Sequence, residues 1–242
     1  MADPETKSAE ASAATPTPGS SSDSDSAPAS ASRSQSLVTG VLIVVACVAG
    51  GAVLWETTVV DRIFPRRFGV VQEGSIYRSA QLEANLVGDV LEDHNIRRVI
   101  NLGVYKPGKP RHDAALAAID KVDASHVEHG LGGDGTGDPQ AYVEALTDMR
   151  HAERNGQAVL VHCSAGVNRT GAAAGLYRIF FEAWSASRTV DEMKSYDFDP
   201  QDNTKLLPYL DQHYPTIGEG LVERGLIEEV PPLSETFAAQ AE

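Results

Sequence analysis

One segment past the middle of the chain constrains the fold more than any other. The sequence QAVLVHC at residues 157–163 is apolar, and a loop containing glycine separates it from the helix-forming sequence TGAAAGLYRIFFEAW at residues 170–184. A short apolar run without polar alternation is typical of a strand that is buried on both faces, as in parallel sheets. Strand, loop and helix in this order predict one βα unit of an α/β domain.

Strand-like and helix-like segments alternate along the rest of this region. The predicted strands lie at 74–81, 97–102 and 125–131, and the predicted helices at 82–94, 111–122, 139–154, 186–196 and 202–214. In the 139–154 helix, Tyr142, Leu146 and Met149 recur at i, i+4 and i+7 and are predicted to form a stripe that packs in the core. This alternation predicts an α/β fold with a mostly parallel central sheet flanked by helices, in a domain spanning residues 62–215. Because 42% of the 242 residues are apolar, the chain can bury one core of this size.

The N-terminal region has a different composition from the predicted domain. Residues 1–36 consist largely of Ala, Ser, Pro, Thr and Asp, and they are predicted to be disordered. Residues 37–55 carry no charge, and as a helix they would span about 28 Å, close to a bilayer core of about 30 Å. They predict a single transmembrane helix. Residues 216–242 are rich in Glu and Ala and are predicted to form an acidic tail.

Charge and cysteine content indicate the compartment in which the domain lies and argue against one class of partner. Three arginines follow the predicted span closely, at 62, 66 and 67, whereas only Arg33 precedes it closely, so the positive-inside tendency predicts a cytoplasmic domain. The net charge of −14 argues against nucleic acid as a partner. Cys47 and Cys163 lie in segments of different character, which gives no disulfide framework and favours reducing surroundings.

The loop after the 157–163 strand has the residue types of an anion site. Backbone N–H groups between a strand and a helix N-terminus can surround an anion, and the helix dipole favours negative charge there. Such a site would stabilise Cys163 as a thiolate nucleophile, and the planar guanidinium of Arg169 would bind two phosphate oxygens. The predicted phosphate-binding residues are Ser164, Ala165, Gly166, Val167, Asn168 and Arg169.

Two neighbours of this loop have alternative roles. His162 either orients the loop through hydrogen bonds or is a buried histidine that only packs. Thr170 either donates a hydrogen bond to the sulfur as an intermediate breaks down or only caps the following helix. His126 and His129 lie three apart on a predicted strand and face opposite sides, so no metal or other cofactor is predicted.

The sequence HCSAGVNRTG resembles the H-C-x5-R-[ST] signature of the protein tyrosine phosphatase superfamily. GSIYRSAQ at 74–81, RRVINL at 97–102 and the W-S-x5-D-E-M-K stretch at 184–194 are similar to its compact dual-specificity-like branch, which is common in bacteria. The resemblance covers about residues 68–214. It implies an enzyme that works through a phosphocysteine intermediate, with an aspartate on an upstream loop as general acid.

The loop GGDGTGDP supplies two candidates for that acid, Asp134 and Asp138. Asp138 directly precedes Pro139 and a predicted helix, so N-capping explains it. Asp134 lies between glycines and has no such structural duty. We therefore expect Asp134 to be the acid, with Asp138 as the alternative.

The resemblance implies hydrolysis of phosphomonoesters, with phosphotyrosine or phosphoprotein as first choice and an inositol phosphate or phosphoinositide as the alternative. A phosphate-binding adaptor without turnover is a further alternative. The loop interior SAGVN lacks the lysine that lipid-directed relatives use. Arg78 is either part of the site or a surface charge, and the cluster of Lys106, Lys109 and Arg111 either binds a polyanionic substrate or forms a solvated loop.

Overall fold

The computed structural model describes residues 38, 40–49 and 64–241. Residues 40–49 are helical and form a unit of their own within the N-terminal part of the chain. The predicted disordered segment, residues 1–36, and residues 37, 39 and 50–55 of the predicted membrane span lie outside the described residues. Within the described ranges, no helix combines the length and the apolar character that crossing a membrane requires.

Residues 64–241 contain a five-stranded sheet in the order β1-β2-β5-β3-β4. The strands are Gly69–Gln72 (β1), Ile76–Ala80 (β2), Ile96–Asn101 (β3), Ser125–Glu128 (β4) and Ala158–Cys163 (β5). The β2-β5, β5-β3 and β3-β4 pairs are parallel, whereas β1 pairs antiparallel with β2. The sheet is therefore mixed, which corrects the prediction at one edge: β1 is short and not fully buried, and the sequence analysis did not identify it.

Six α-helices lie in residues 64–241, of which the first four pack directly on the sheet and the last two pack on other helices. They are Ala84–Asp93 (α1), Pro110–Lys121 (α2), Pro139–Arg154 (α3), Asn168–Glu182 (α4), Ala186–Ser195 (α5) and Leu206–Glu223 (α6). The larger core cluster joins residues of α3, α4 and α6 to β5, and it includes the predicted stripe Tyr142, Leu146 and Met149, each fully buried. A smaller cluster joins α1 and α2 to the sheet through residues such as Leu91, Ile119 and Leu160. All six residues of β5 are buried, as expected for a central strand with helices on both sides.

The C-terminal region differs from the prediction of a domain that ends at residue 215 and an acidic tail at 216–242. Helix α6 continues past Pro215 to Glu223, because Ile217 and Leu221 on this last part are fully buried in the core. Further on, Phe237 is also fully buried. The Asp211 carboxylate accepts hydrogen bonds from the backbone N–H groups of Phe237 (2.7 Å) and Ala238 (2.8 Å). The C-terminal residues through 241 thus belong to the folded domain.

Candidate active site

The candidate site is the loop between β5 and α4, which we call the phosphate loop (residues 164–167). Cys163 is the last residue of β5, and its thiol is free and only 2% exposed. The Gly166 N–H donates a hydrogen bond to Cys163 Sγ over 3.2 Å. At the other end of the loop, Val167 is the N-cap residue of α4, and no side chain caps the helix. The first N–H groups of α4 are therefore left for an anion.

The carbonyl groups of the phosphate loop are held from outside. Three consecutive carbonyl oxygens each accept one hydrogen bond: Ser164 from the Gln81 N–H (3.3 Å), Ala165 from Arg67 Nη1 (2.8 Å) and Gly166 from Arg78 Nη2 (2.7 Å). In a planar trans peptide the N–H points opposite to the C=O. The N–H groups of residues 165–167 are thus directed to the other side of the loop, where that of Gly166 reaches the sulfur. This arrangement forms a concave set of donors suited to an anion.

Gly166 allows the phosphate loop to lie against the end of β2. Its φ is +75°, and a Cβ atom there would lie 2.6 Å from the Ala80 nitrogen and 2.8 Å from the Ser79 carbonyl carbon. Any other residue would be strained in its backbone and would also push the loop away from the sheet.

Arg78 lies beneath the loop and not at the surface. Its side chain is fully buried, and its guanidinium carbon is 3.7 Å from the centroid of the Tyr196 ring. Nε and Nη1 have no hydrogen-bond partner in the described part of the chain. Burial lowers the pKa of Arg78, while Tyr196, Glu192 and the Cys163 thiol act in the opposite direction. Since an arginine remains charged in proteins, the loop has a fixed positive charge behind it.

Arg169 is the second residue of α4. Its Nη2 lies 3.4 Å from Ser164 Oγ, and its Nε has no hydrogen-bond partner among the described residues. The guanidinium passes close to the turn after β3, where a Cβ on Gly103 would lie only 2.9 Å from Nη1. No carboxylate of the described residues forms an ion pair with Arg169. Its charge is therefore available to a phosphoryl group.

His162 and Thr170 are both buried beside the loop. His162 Nε2 is 3.1 Å from the Tyr105 hydroxyl, and burial lowers the pKa of His162 to about 4, with a smaller effect in the same direction from Arg169. A neutral imidazole thus links β5 to the segment after β3. Thr170 is fully buried, and its hydroxyl has no hydrogen-bond partner among the described residues. Because Val167 is the N-cap of α4, Thr170 does not cap the helix.

The two acidic candidates have different surroundings. Asp138 is the N-cap of α3, and its carboxylate accepts a hydrogen bond from the Gln140 N–H (3.0 Å). Asp134 lies in the segment that we call the acid loop (residues 132–137), with its side chain 34% exposed. Its Oδ1 accepts hydrogen bonds from the Thr136 hydroxyl (2.8 Å) and the Thr136 N–H (3.1 Å). These hydrogen bonds lower the pKa of Asp134, and Lys205, 3.8 Å from Oδ2, contributes in the same direction.

The acid loop adjoins the phosphate loop. Asn168 Nδ2 donates to the Gly133 carbonyl (3.2 Å), and the buried Tyr142 hydroxyl donates to the Gly135 carbonyl (2.7 Å). Burial raises the pKa of Tyr142, and the charges of Cys163, Arg169 and Asp134 all act on it as well. The acid loop is thus held by side chains of two helices, Tyr142 of α3 and Asn168 of α4.

The comparisons with known proteins agree with this site. The protein-tyrosine phosphatase family model matches residues 124–195, from β4 through α5. The dual specificity protein phosphatase TpbA of Pseudomonas aeruginosa is 35% identical over 68 residues, which are 28% of this chain and 31% of TpbA. The match therefore spans about a third of the length of this curated relative.

Solved structures share the fold. The core catalytic domain of the PP-IP phosphatase Siw14 from S. cerevisiae, in complex with citrate, matches with a TM-score of 0.52 and 20% identity, over 68% of this chain and 96% of that one. A second structure of the Siw14 catalytic core gives a TM-score of 0.54 at 17% identity, over 69% and 96% of the two chains. Together with the loop geometry, the match of residues 124–195 to the protein-tyrosine phosphatase family and the relation to TpbA support the resemblance of this chain to the protein tyrosine phosphatase superfamily.

Proposed function

We propose that this protein is a cysteine-dependent phosphatase that hydrolyses phosphomonoesters. The observation that carries the proposal is the phosphate loop, in which Gly166 N–H contacts Cys163 Sγ at 3.2 Å while the loop carbonyls are bound from behind. The Gly166 N–H donor at the thiol, the uncapped N-terminus of α4 and Arg169, whose Nη2 lies 3.4 Å from Ser164 Oγ, support this proposal. This is a site for a phosphoryl group in contact with a nucleophile.

The first step is proposed to transfer the phosphoryl group to sulfur. The Cys163 thiolate attacks phosphorus, an S–P bond forms, and the bond from phosphorus to the leaving oxygen breaks. Arg169 and the loop N–H groups hold the other phosphoryl oxygens and the charge on them. Asp134, in its protonated form, gives its proton to the leaving oxygen. The alcohol or phenol then departs, and a phosphocysteine remains.

The second step is proposed to hydrolyse the phosphocysteine. Asp134, now a carboxylate, takes a proton from water as the water oxygen bonds to phosphorus, and the S–P bond breaks with its electron pair on sulfur. The buried Thr170 hydroxyl, which lacks a hydrogen-bond partner among the described residues, is proposed to donate to the departing sulfur. His162 is a positioning residue in this scheme, because it is neutral and hydrogen-bonded to Tyr105.

The proposed substrate is a phosphotyrosine-containing or other phosphorylated protein, in line with the name of TpbA, a dual specificity protein phosphatase. An inositol phosphate or phosphoinositide is the alternative, although the loop interior SAGVN has no lysine.

Attachment to a membrane through residues 37–55 is proposed separately, on the uncharged sequence alone. Carbonate extraction of membranes from cells that express the full chain would test it: the chain should stay in the pellet, and full release would contradict it.

The test of function is phosphate release by the purified full chain. The panel comprises p-nitrophenyl phosphate, phosphotyrosine and phosphoserine peptides, inositol phosphates and phosphoinositide vesicles, with a Cys163→Ser variant as control. We expect release from p-nitrophenyl phosphate and phosphotyrosine peptide, and no release by the variant. Binding of phosphopeptide without release from any substrate would favour the adaptor and overturn the proposal.

A further inference from the structure

A large cavity opens beside the phosphate loop, and its wall is cationic. The cavity has a volume of about 620 Å³, and its polar lining residues are Lys106, Lys109, Arg111, His112, Ser164 and Arg169. No acidic residue lines it. Ser164 and Arg169 belong to the site already described, so the cavity extends from the position of the reacting phosphoryl group to the connection between β3 and α2. We use the name basic loop for residues 104–112, which comprise part of this connection and the first residues of α2.

The two lysines of the basic loop have no counter-charge. Neither Lys106 nor Lys109 forms an ion pair with any described residue, and both are exposed. Arg111, by contrast, is paired with Glu83 at 3.0 Å. In a chain of net charge −14, uncompensated cations concentrated on the wall of one cavity indicate an anionic ligand.

The basic loop is also fixed in position. The Lys106 N–H donates to His112 Nδ1 (2.7 Å), and the Gly108 N–H donates to the Asp113 carboxylate (3.3 Å). The Tyr105 N–H donates to Glu128 (2.8 Å), and the Tyr105 hydroxyl contacts His162, the residue before the nucleophile. The lysines are therefore carried by a backbone that is tied to the reaction site, which lowers the entropic cost of binding there.

We infer that Lys106 and Lys109 form a second anion subsite, which binds a phosphate group of the substrate that is not cleaved. The cationic lining thus favours the alternative substrate of the proposed function over a phosphoprotein, namely a small molecule with two or more phosphate groups such as an inositol polyphosphate. The inference rests on the proposed function, because it names the substrate class of that same site. His112 contributes to the subsite through its other ring nitrogen, Nε2, which carries the proton when Nδ1 accepts the hydrogen bond from Lys106 N–H.

The test compares two substrates on the full chain, p-nitrophenyl phosphate with one phosphate and an inositol polyphosphate with several. The variant is Lys106→Gln combined with Lys109→Gln. We expect kcat/KM on the polyphosphate to fall about 10-fold or more, mainly through KM, as for the loss of charge-assisted contacts. Activity on p-nitrophenyl phosphate should stay within about two-fold, because it lacks a group that reaches the subsite.

A control is needed for the loss of one positive charge anywhere on the chain. We compare Lys121→Gln with the single variant Lys109→Gln, because each removes one lysine of the same helix region. Lys121 is at the other end of α2, about 17 Å away along the helix, and it does not line the cavity. It should leave the ratio of the two kcat/KM values unchanged, whereas Lys109→Gln should lower the polyphosphate value. Added salt should reduce the advantage of the polyphosphate in the unmodified chain and less so in the double variant.

The outcomes separate the two proposals. If the double variant lowers both kcat/KM values by the same factor, or neither, the subsite is refuted while the phosphatase stands. A doubly phosphorylated peptide that depends on the lysines when the inositol polyphosphate does not would refute the small-molecule class. Absence of phosphate release from every substrate by the unmodified chain would refute the proposed function itself, whereas release from p-nitrophenyl phosphate but not from the polyphosphate would refute only the subsite.

Discussion

The phosphate loop and the acid loop are both short connections that adjoin the N-terminus of α4, yet their hydrogen bonds differ. The phosphate loop depends on groups remote in sequence, since Arg67, Arg78 and Gln81 bind its carbonyls from the start of the domain. The acid loop combines an internal Asp134–Thr136 turn with hydrogen bonds to its carbonyls from outside, and the donors are the side chains of Tyr142, Asn168, Asn203 and Tyr209. Asp134 is also far more exposed than Cys163.

This difference separates two tasks. A loop that binds charge must present its donors before the substrate arrives, because donors that reorganise lose much of their stabilising effect. An acid must instead change its protonation state and exchange protons with water, which favours partial exposure. We therefore expect changes in the phosphate loop to affect every substrate, and changes in the acid loop to depend on pH and on the leaving group.

The largest effect is expected at the nucleophile. Cys163→Ser should lower kcat by at least about 10⁴-fold, because a serine hydroxyl is not ionised at this position as a thiol can be. Binding of a phosphotyrosine peptide, measured by calorimetry, should persist because the loop donors remain. A variant with substantial turnover would show that the phosphate loop binds phosphate but does not supply the nucleophile.

The next effect concerns the acid loop. Asp134→Asn should lower kcat by about 10²- to 10⁴-fold on phenyl phosphate, the usual range for loss of general acid catalysis. The loss on p-nitrophenyl phosphate should be smaller, because its leaving group needs less protonation. If Asp138→Asn shows this dependence on the leaving group and Asp134→Asn does not, the two aspartates exchange roles.

Arg78 should have an intermediate effect, through the loop that it holds. Arg78→Met should lower kcat about 10- to 100-fold, as for loss of a buried charge-assisted hydrogen bond. In a Cys47→Ser background, alkylation of Cys163 by iodoacetamide at neutral pH should become slower. Arg78→Lys should restore much of the alkylation rate but less of kcat, since the positive charge is kept and the planar, bidentate geometry of the guanidinium is lost.

Arg67→Met is the matched control for Arg78, because it removes the bond to the neighbouring carbonyl. Arg67 is partly exposed and pairs with Asp197 at 2.8 Å, and an exposed pair of this kind contributes little. Arg67→Met should lower kcat less than Arg78→Met does, and the rate of alkylation of Cys163 should hardly change. Equal effects of the two variants on alkylation would mean that Arg78 acts through loop geometry alone.

A smaller effect is expected from substitution of Thr136, which should change the pH dependence of kcat/KM. Its hydrogen bonds stabilise the Asp134 carboxylate and lower the pKa of Asp134. Thr136→Val removes the hydroxyl contact, so the pKa should rise, more of Asp134 should stay protonated at a given pH, and the alkaline limb of the kcat/KM profile should move to higher pH. Thr136→Ser keeps the hydroxyl and should retain the original limb. A limb that moves to lower pH in the valine variant would contradict the assignment of Asp134.

The smallest expected effect is on stability alone. Asp138→Ala removes the N-cap of α3 and should lower the free energy of unfolding by about 0.5 to 2 kcal/mol, measured by urea denaturation. The rate on either substrate should be unchanged at temperatures where the variant is folded. A rate that falls with the basicity of the leaving group would instead show that Asp138 supplies the proton.

The sequence predicted features that depend on residues close together along the chain. It did not predict features that depend on contacts between residues far apart in sequence. The order of strands and helices from residue 74 to the start of α6 could be predicted from hydrophobic pattern and turn residues, and the phosphate loop from its spacing. Arg67 could be interpreted only as a cation near the predicted membrane span. Its hydrogen bond to the Ala165 carbonyl joins residues 98 positions apart, and the sequence around Arg67 gives no sign of this contact. Tyr142 fitted a core stripe, and its contact with Gly135 follows only from the packing of α3. The C-terminal residues appeared acidic and separate, since one buried phenylalanine leaves little periodic signal.

The central position of β5 has a consequence for how the site comes into being during synthesis. β2 ends at Ala80 and β3 at Asn101, but their common neighbour β5 begins only at Ala158. A nascent chain that has not yet released this strand from the ribosome has two unpaired strand edges that face each other, and closing them requires contacts between distant parts of the sequence. Arg67 and Arg78 are made early and can bind the loop carbonyls only when the strand inserts. Catalytic competence should therefore arise in one late event of folding, and no shorter nascent chain should hydrolyse phosphate esters.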